Sequence, residues 1–242
     1  MIEAGLWGLL AGGSLVIGAM LGLARPVPQR VIAVVMAFGA GVLISALSFE
    51  LADEAFERGG TDALALGLVA GALTFWAGDA IIDRRGGDHR KRSGGQQAGG
   101  SAGAIVLGAV LDGIPESVAI GVSLVGGSAV SAAVVGAVFL SNVPEAMSAA
   151  VGLRKAGHSP RWILGLWVGV ALISAVAAAV GYGALGGASG NVIGLFQAFA
   201  AGAILTMLAD TMIPEAYEDG GPAVGVVTAL GFALAYLLSQ AG

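Results

Sequence analysis

Long apolar runs separated by short polar clusters set the pattern of this chain. Eight runs stand out, at about 4–24, 31–52, 63–82, 102–125, 129–153, 162–185, 192–215 and 222–240. A bilayer core is crossed by roughly 20 helical residues, and each run reaches that length. The pattern predicts an all-α integral membrane protein, a single transmembrane domain over 1–242. The first run extends to Leu23 without a basic region before it, so it is read as a span and not as a cleaved leader. Between the third and fourth runs lies the one long linker, 84–101, rich in Gly, Gln, Ser and charge, which is expected to be disordered.

Composition agrees with this reading. Hydrophobic residues make up 57% of the chain and charged residues 11%, where a soluble domain carries about a quarter charged residues. The net charge of −5 argues against nucleic acid as a partner, and the absence of cysteine excludes disulfides and thiolate metal sites.

The basic residues give an orientation. Arg25 and Arg30, the group Arg84, Arg85, Arg90, Lys91 and Arg92, and Arg154, Lys155 and Arg161 fall on one side of a regularly weaving chain, leaving Arg58 alone on the other. Positive charge accumulates on the cytoplasmic side. The expected location is a bacterial-type inner (cell) membrane, with the linker cytoplasmic and both termini external.

An internal repeat adds a ground plan. Residues 38–60 and 199–221 align without a gap at an offset of 161, with nine identities in 23 positions, among them the pairs Glu54/Glu215, Glu57/Glu218, Gly59/Gly220 and Gly60/Gly221. The two copies belong to spans of opposite direction. Inverted repeats are common in secondary transporters, whose substrate site lies near the midplane. A shorter repeat relates Leu111–Leu124 to Leu140–Leu153 at an offset of 29. The chain thus reads as three, two and three spans.

The shorter repeat carries the candidate chemistry. Glu116 and Glu145 lie well inside spans, where ionisable groups are costly and usually functional. Asp112 precedes Glu116 by four residues, and Ser141 precedes Glu145 by four, so each pair shares a helix face. Pro115 and Pro144 cannot donate to the carbonyls of Leu111 and Leu140. With Asn142, these groups offer several oxygens to a hard or borderline divalent cation. Glu50, Asp79 and Asp210 sit near helix ends and are less distinctive, and His89 in the linker is expected to be solvated.

Asp112-Gly113-Ile114-Pro115-Glu116-Ser117 and Ser141-Asn142-Val143-Pro144-Glu145-Ala146, together with Phe199-Ala200-Ala201-Gly202, Ile213-Pro214-Glu215 and the stretch from Gly71 to Arg84, resemble the ZIP (Zrt-, Irt-like protein) family over nearly the whole chain. That family has eight spans in a three-two-three arrangement, external termini and a variable cytoplasmic loop after the third. The resemblance implies a secondary carrier that brings a divalent metal ion into the cytoplasm by alternating access. Zinc is the expected ion, with manganese and ferrous iron as alternatives. Asp112 stands where the family has His, Gly113 where it has Asn, and Ser117 and Ala146 where it has Gly. Span six, from Trp162 to Leu185, holds no acid, and the family's glutamate falls near Ala178. One ion per chain is therefore expected, bound at Asp112, Glu116, Ser141, Asn142 and Glu145.

Two other readings stand beside this one. The first is a ZIP-like membrane sensor that binds metal or protons without transport. The second, an intramembrane enzyme, is disfavoured because both histidines, His89 and His158, fall in cytoplasmic connections. The expected surroundings are the lipid bilayer and the cation, and a homodimer is left open.

Overall fold

The computed structural model describes all residues except 26, 88–89, 96–97, 99, 101, 126–131 and 242. His89 and the start of the fifth expected span, 129–131, lie outside the described residues. Helix accounts for nearly all of the rest, and the described residues contain no strand. In chain order the helices are α1 (Ile2–Ala24), α2 (Gln29–Ala46), α3 (Asp53–Ile82), α4 (Ala102–Ser123), α5 (Ala132–Lys155), α6 (Pro160–Leu185), α7 (Gly190–Met207), α8 (Ile213–Gly220) and α9 (Ala223–Ala241). Wider π-helical turns, Leu47–Ala52 and Leu208–Met212, join α2 to α3 and α7 to α8.

Among the described residues, seven helical segments are long and apolar enough to cross a membrane, the build of a multi-pass membrane protein. Their outward faces fit that medium. Leu66, Val69, Leu73 and Trp76 of α3 and Val226, Leu230, Leu237 and Leu238 of α9 are all largely exposed. In water such continuous apolar faces would be an aggregation hazard.

One of the seven segments, Gln29–Gly87, is a continuous helical stretch where two spans are expected. It is not straight. Gly60 takes φ 69° and ψ −172°, a conformation open to glycine at little cost. Before it, Glu54 meets Gln197 and Arg58 lies beside Gly190, so the chain descends along α7. After it, Gly67 packs on Leu195 and Ala198, and Gly71 on Phe199 and Ala203, so the chain climbs. The direction reverses at Gly60. The charged stretch 53–59, expected as a loop, is helical up to that point. Arg58 bonds Glu54 one turn away at 2.6 and 2.9 Å, and such pairs support a helix.

The second copy of the long repeat takes the same local course. Its π-helical turn stands at the same offset, α8 continues the helix, and Gly221 takes φ 64° and ψ −154°. The helix after each copy packs on the other copy. A Cβ on Gly71 would fall 2.0 Å from the Phe199 carbonyl oxygen, and one on Gly231 2.2 Å from that of Phe38. Phe38 and Phe199 are equivalent positions of the repeat.

The middle of the chain packs differently. α1 lies against both α5 and α6, and α4 lies against α6 and α7. α4 and α5 touch each other only sparsely. Ala178 of α6 is fully buried, close to Gly8 of α1 and Gly121 of α4. A longer side chain would not fit there without moving a helix, which accounts for an alanine at this position.

Candidate cation site

Asp112 and Glu116 are one turn apart on α4, and both are buried, as is Glu145 on α5. Pro115 and Pro144 stand inside their helices, each directly before its glutamate. What joins the carboxylates is the linker. Arg90 and Lys91 are buried at 5% and 2% exposure and reach into the bundle.

Arg90 is the better bonded. Its Nε and Nη2 donate to Asp112 Oδ2 and Oδ1, each at 2.9 Å, a bidentate arrangement that is among the stronger pairings available to a protein. Nη2 also donates to Asp79 Oδ1 on α3, and Nη1 approaches Asp83 Oδ1 and the Gly87 carbonyl, both at 3.5 Å. Lys91 extends past it. Its Nζ lies 3.4 Å from Asp112 Oδ2 and 3.2 Å from Glu145 Oε1, and has no well-aligned hydrogen bond. Burial works against the charge on Lys91, but Asp112 and Glu145 outweigh it, and its pKa stands above the ordinary lysine value.

The balance of charge is uneven. Asp79, Asp112, Glu116 and Glu145 are four buried acids facing two buried cations. Glu116 is close enough to Glu145, Lys91 and Asp112 to feel their charges, yet its Oε1 is buried without a hydrogen-bond partner. Glu215 of α8 lies within electrostatic reach of Lys91, Arg90 and Glu145, and its Oε2 is likewise unpartnered. Unpaired buried carboxyl oxygens are costly unless the group is protonated or meets a positive charge.

The remaining candidates each spend a donor elsewhere, which leaves their oxygens able to accept. Ser141 Oγ donates to the Val138 carbonyl at 3.0 Å, within its own helix. Asn142 Nδ2 donates to the Ala11 carbonyl of α1 at 3.2 Å. Among the described residues, no group of three or more His, Cys, Asp and Glu is arranged to hold a metal ion. In this arrangement the ammonium of Lys91 stands between Asp112 and Glu145.

Among the described residues of the linker, Arg84, Arg85, Gly94 and Ala98 are exposed, as its composition suggests, but a short stretch is not. Arg90, Lys91 and Ser93 are buried. These cations read as topology charges in the sequence, and Asp79 as an acid near a helix end, interfacial as readily as functional. The signal that could have revealed them is the excess of buried acid itself, which requires counter-charge from somewhere in the chain.

No family model matches the chain. The chain is 27% identical over 186 residues to a protein of Arabidopsis thaliana named "Putative zinc transporter". The alignment covers 76% of this chain and 29% of that protein, so the chain spans less than a third of its relative's length.

Proposed function

We propose that this protein is a ZIP-like secondary carrier that moves a divalent metal ion into the cytoplasm, zinc first, with manganese or ferrous iron as alternatives. The chain crosses the membrane eight times, with Gly60 and Gly221 as the turns of an inverted three-two-three arrangement. Both termini face outward, and the linker is cytoplasmic. Asp112, Glu116 and Glu145 supply the charge of the site, with Ser141 and Asn142 as neutral oxygens. The observation that carries this reading is the buried carboxylate cluster on two proline-bearing helices, with Glu116 Oε1 left unpartnered. The name of the plant relative points the same way.

Alternating access would rock one set of helices against another around this site, driven by the gradient of the ion. The sparse contact between α4 and α5 suits a pair that must part. The test is metal uptake by reconstituted vesicles. Glu116→Ala and Glu145→Ala should each remove most uptake while the protein inserts and folds. Parental rates in both variants would overturn the site.

A second reading is favoured by a specific observation. Arg90 and Lys91 already neutralise part of the cluster, as in a sensor that binds a metal ion or protons and does not transport. Metal binding without uptake by the reconstituted parent would select it.

A further inference from the structure

The carboxylates offered to a cation already hold one. Lys91 Nζ stands between Glu145 Oε1 and Asp112 Oδ2, at 3.2 and 3.4 Å, and an ammonium and a divalent ion would compete for those oxygens. Lys91 belongs to the connection between α3 and α4, not to a wall of the bundle. The stems of Arg90 and Lys91 lie beside Ile105, Leu153, Leu166 and Trp167, while the residues that follow them are held to α5 and α8 by polar contacts. Ser93 Oγ donates to Asp219 Oδ2 of α8 at 3.4 Å, Lys155 Nζ of α5 donates to the Ser93 carbonyl at 2.8 Å, and Arg92 pairs with Glu218. Contacts of this kind exchange with water far more readily than a packed apolar core opens. A second observation is independent of the lysine. Glu116 Oε1 is buried with no partner, so the ammonium leaves the cluster incompletely satisfied.

Building on the reading of these carboxylates as a divalent-cation site, we propose that the Arg90–Lys91 segment is a tethered cation that fills the site whenever the metal ion does not, and that loading from the linker side requires its withdrawal. The exchange explains how four buried acids can tolerate an empty carrier: the chain supplies its own counter-charge. It also makes the described stretch 90–93 the lid of the site. Withdrawal must break the Ser93–Asp219 and Arg92–Glu218 contacts together, because these flank or follow the two inserted cations.

The cysteine-free chain allows a test in two arms. The first uses no metal. A single Ser93→Cys variant is labelled with an impermeant maleimide in detergent, alone and combined either with Asp112→Asn and Glu145→Gln or with Lys91→Gln. Both combinations weaken the attachment, and labelling should accelerate by at least about tenfold, equivalent to roughly 1.4 kcal/mol. The Lys91→Gln form guards against misfolding of the double carboxylate variant. Unchanged rates in both overturn the proposal. The second arm joins Ser93→Cys to Asp219→Cys by oxidation and measures zinc and manganese binding by calorimetry. Locked protein should bind at least about tenfold more weakly than the same protein after reductant, and Lys91→Gln should bind more tightly than the parent. Equal binding by locked and released protein overturns the exchange alone. Labelling that responds while neither metal binds to parent or Lys91→Gln overturns the metal reading, and the exchange with it.

Discussion

α4 and α5 carry the same device and neutralise opposite ends of it. Each has a small or acidic residue, then an aliphatic, proline and glutamate, with the first and last one turn apart. On α4 the first position is the one held: Asp112 is clamped by Arg90 through both oxygens, while Glu116 Oε1 has no partner. On α5 the last position is held: Glu145 pairs with Lys91, and Ser141 bonds its own helix. The two helices also differ in how they are braced. Val143, before the α5 proline, touches Gly18 of α1, whereas its α4 counterpart Ile114 is 39% exposed. The repeated motif thus sets where carboxyl groups stand, and the linker decides which of them are compensated.

The strongest way to break this comparison is to remove the clamp. Asp112→Asn takes from a buried guanidinium the carboxylate that meets it through both oxygens. Breaking one partner of a buried ion pair costs about 3–5 kcal/mol, so thermal unfolding in detergent should shift strongly downward. Glu116→Gln alters a carboxyl that lacks a partner at one oxygen, and should change stability by no more than about 1 kcal/mol. Similar shifts in the two variants would mean that α4 is not held at its first position.

The bracing of α5 can be tested more finely. A Cβ on Gly18 would lie 2.2 Å from the Val143 carbonyl oxygen, a backbone atom that cannot rotate aside. Gly18→Ala should therefore cost about 1–3 kcal/mol, the usual range for overpacking. Gly13, on the same helix, has nothing within 4 Å of an added Cβ, and Gly13→Ala should gain up to about 1 kcal/mol from helix propensity. The same melting experiment reads both signs. A neutral Gly18→Ala would show that α1 can move away from α5 without cost.

The contrast between the helices bears on how far the sequence could be read. Lipid demands long apolar runs, so the helices were visible, and the repeat was visible because glycines and acids recur at a fixed offset. Ends of helices were less legible. Stretches 53–59 and 216–220 are charged and fall between expected spans, yet both are helical, and Glu54 and Arg58 support each other within a helix. The buried carboxylates were legible from their depth in the spans. Their counter-ions were not, because Arg90 lies 22 residues from Asp112 in a segment whose composition is that of a solvated linker. A hydropathy reading assigns such cations to a side of the membrane and cannot see them fold back. The neutral oxygens were harder still: the sequence places Ser141 and Asn142 beside the motif, but only packing directs them to Val138 and Ala11.

The last expected effect concerns selectivity, not stability, and it asks whether Asp112 contacts the ion. An all-oxygen site suits manganese and ferrous iron as well as zinc, whereas an imidazole favours zinc. Both oxygens of Asp112 accept from Arg90, and on the exchange proposed above the residue is released to an ion when the segment withdraws. If it contacts the ion, Asp112→His should raise the preference for zinc over manganese by about tenfold, roughly 1.4 kcal/mol. Part of the stability lost with the clamp should appear in this variant too, so competition is measured as a ratio of the two ions in one preparation at one pH. The ratio is insensitive to the fraction of protein that remains folded. A ratio equal to the parent's would mean that Asp112 stays the anchor of Arg90 throughout the cycle. The ion would then rest on Glu116 and Glu145, one from each helix, and α4 would differ from α5 in carrying, at Asp112, a second carboxylate kept for Arg90.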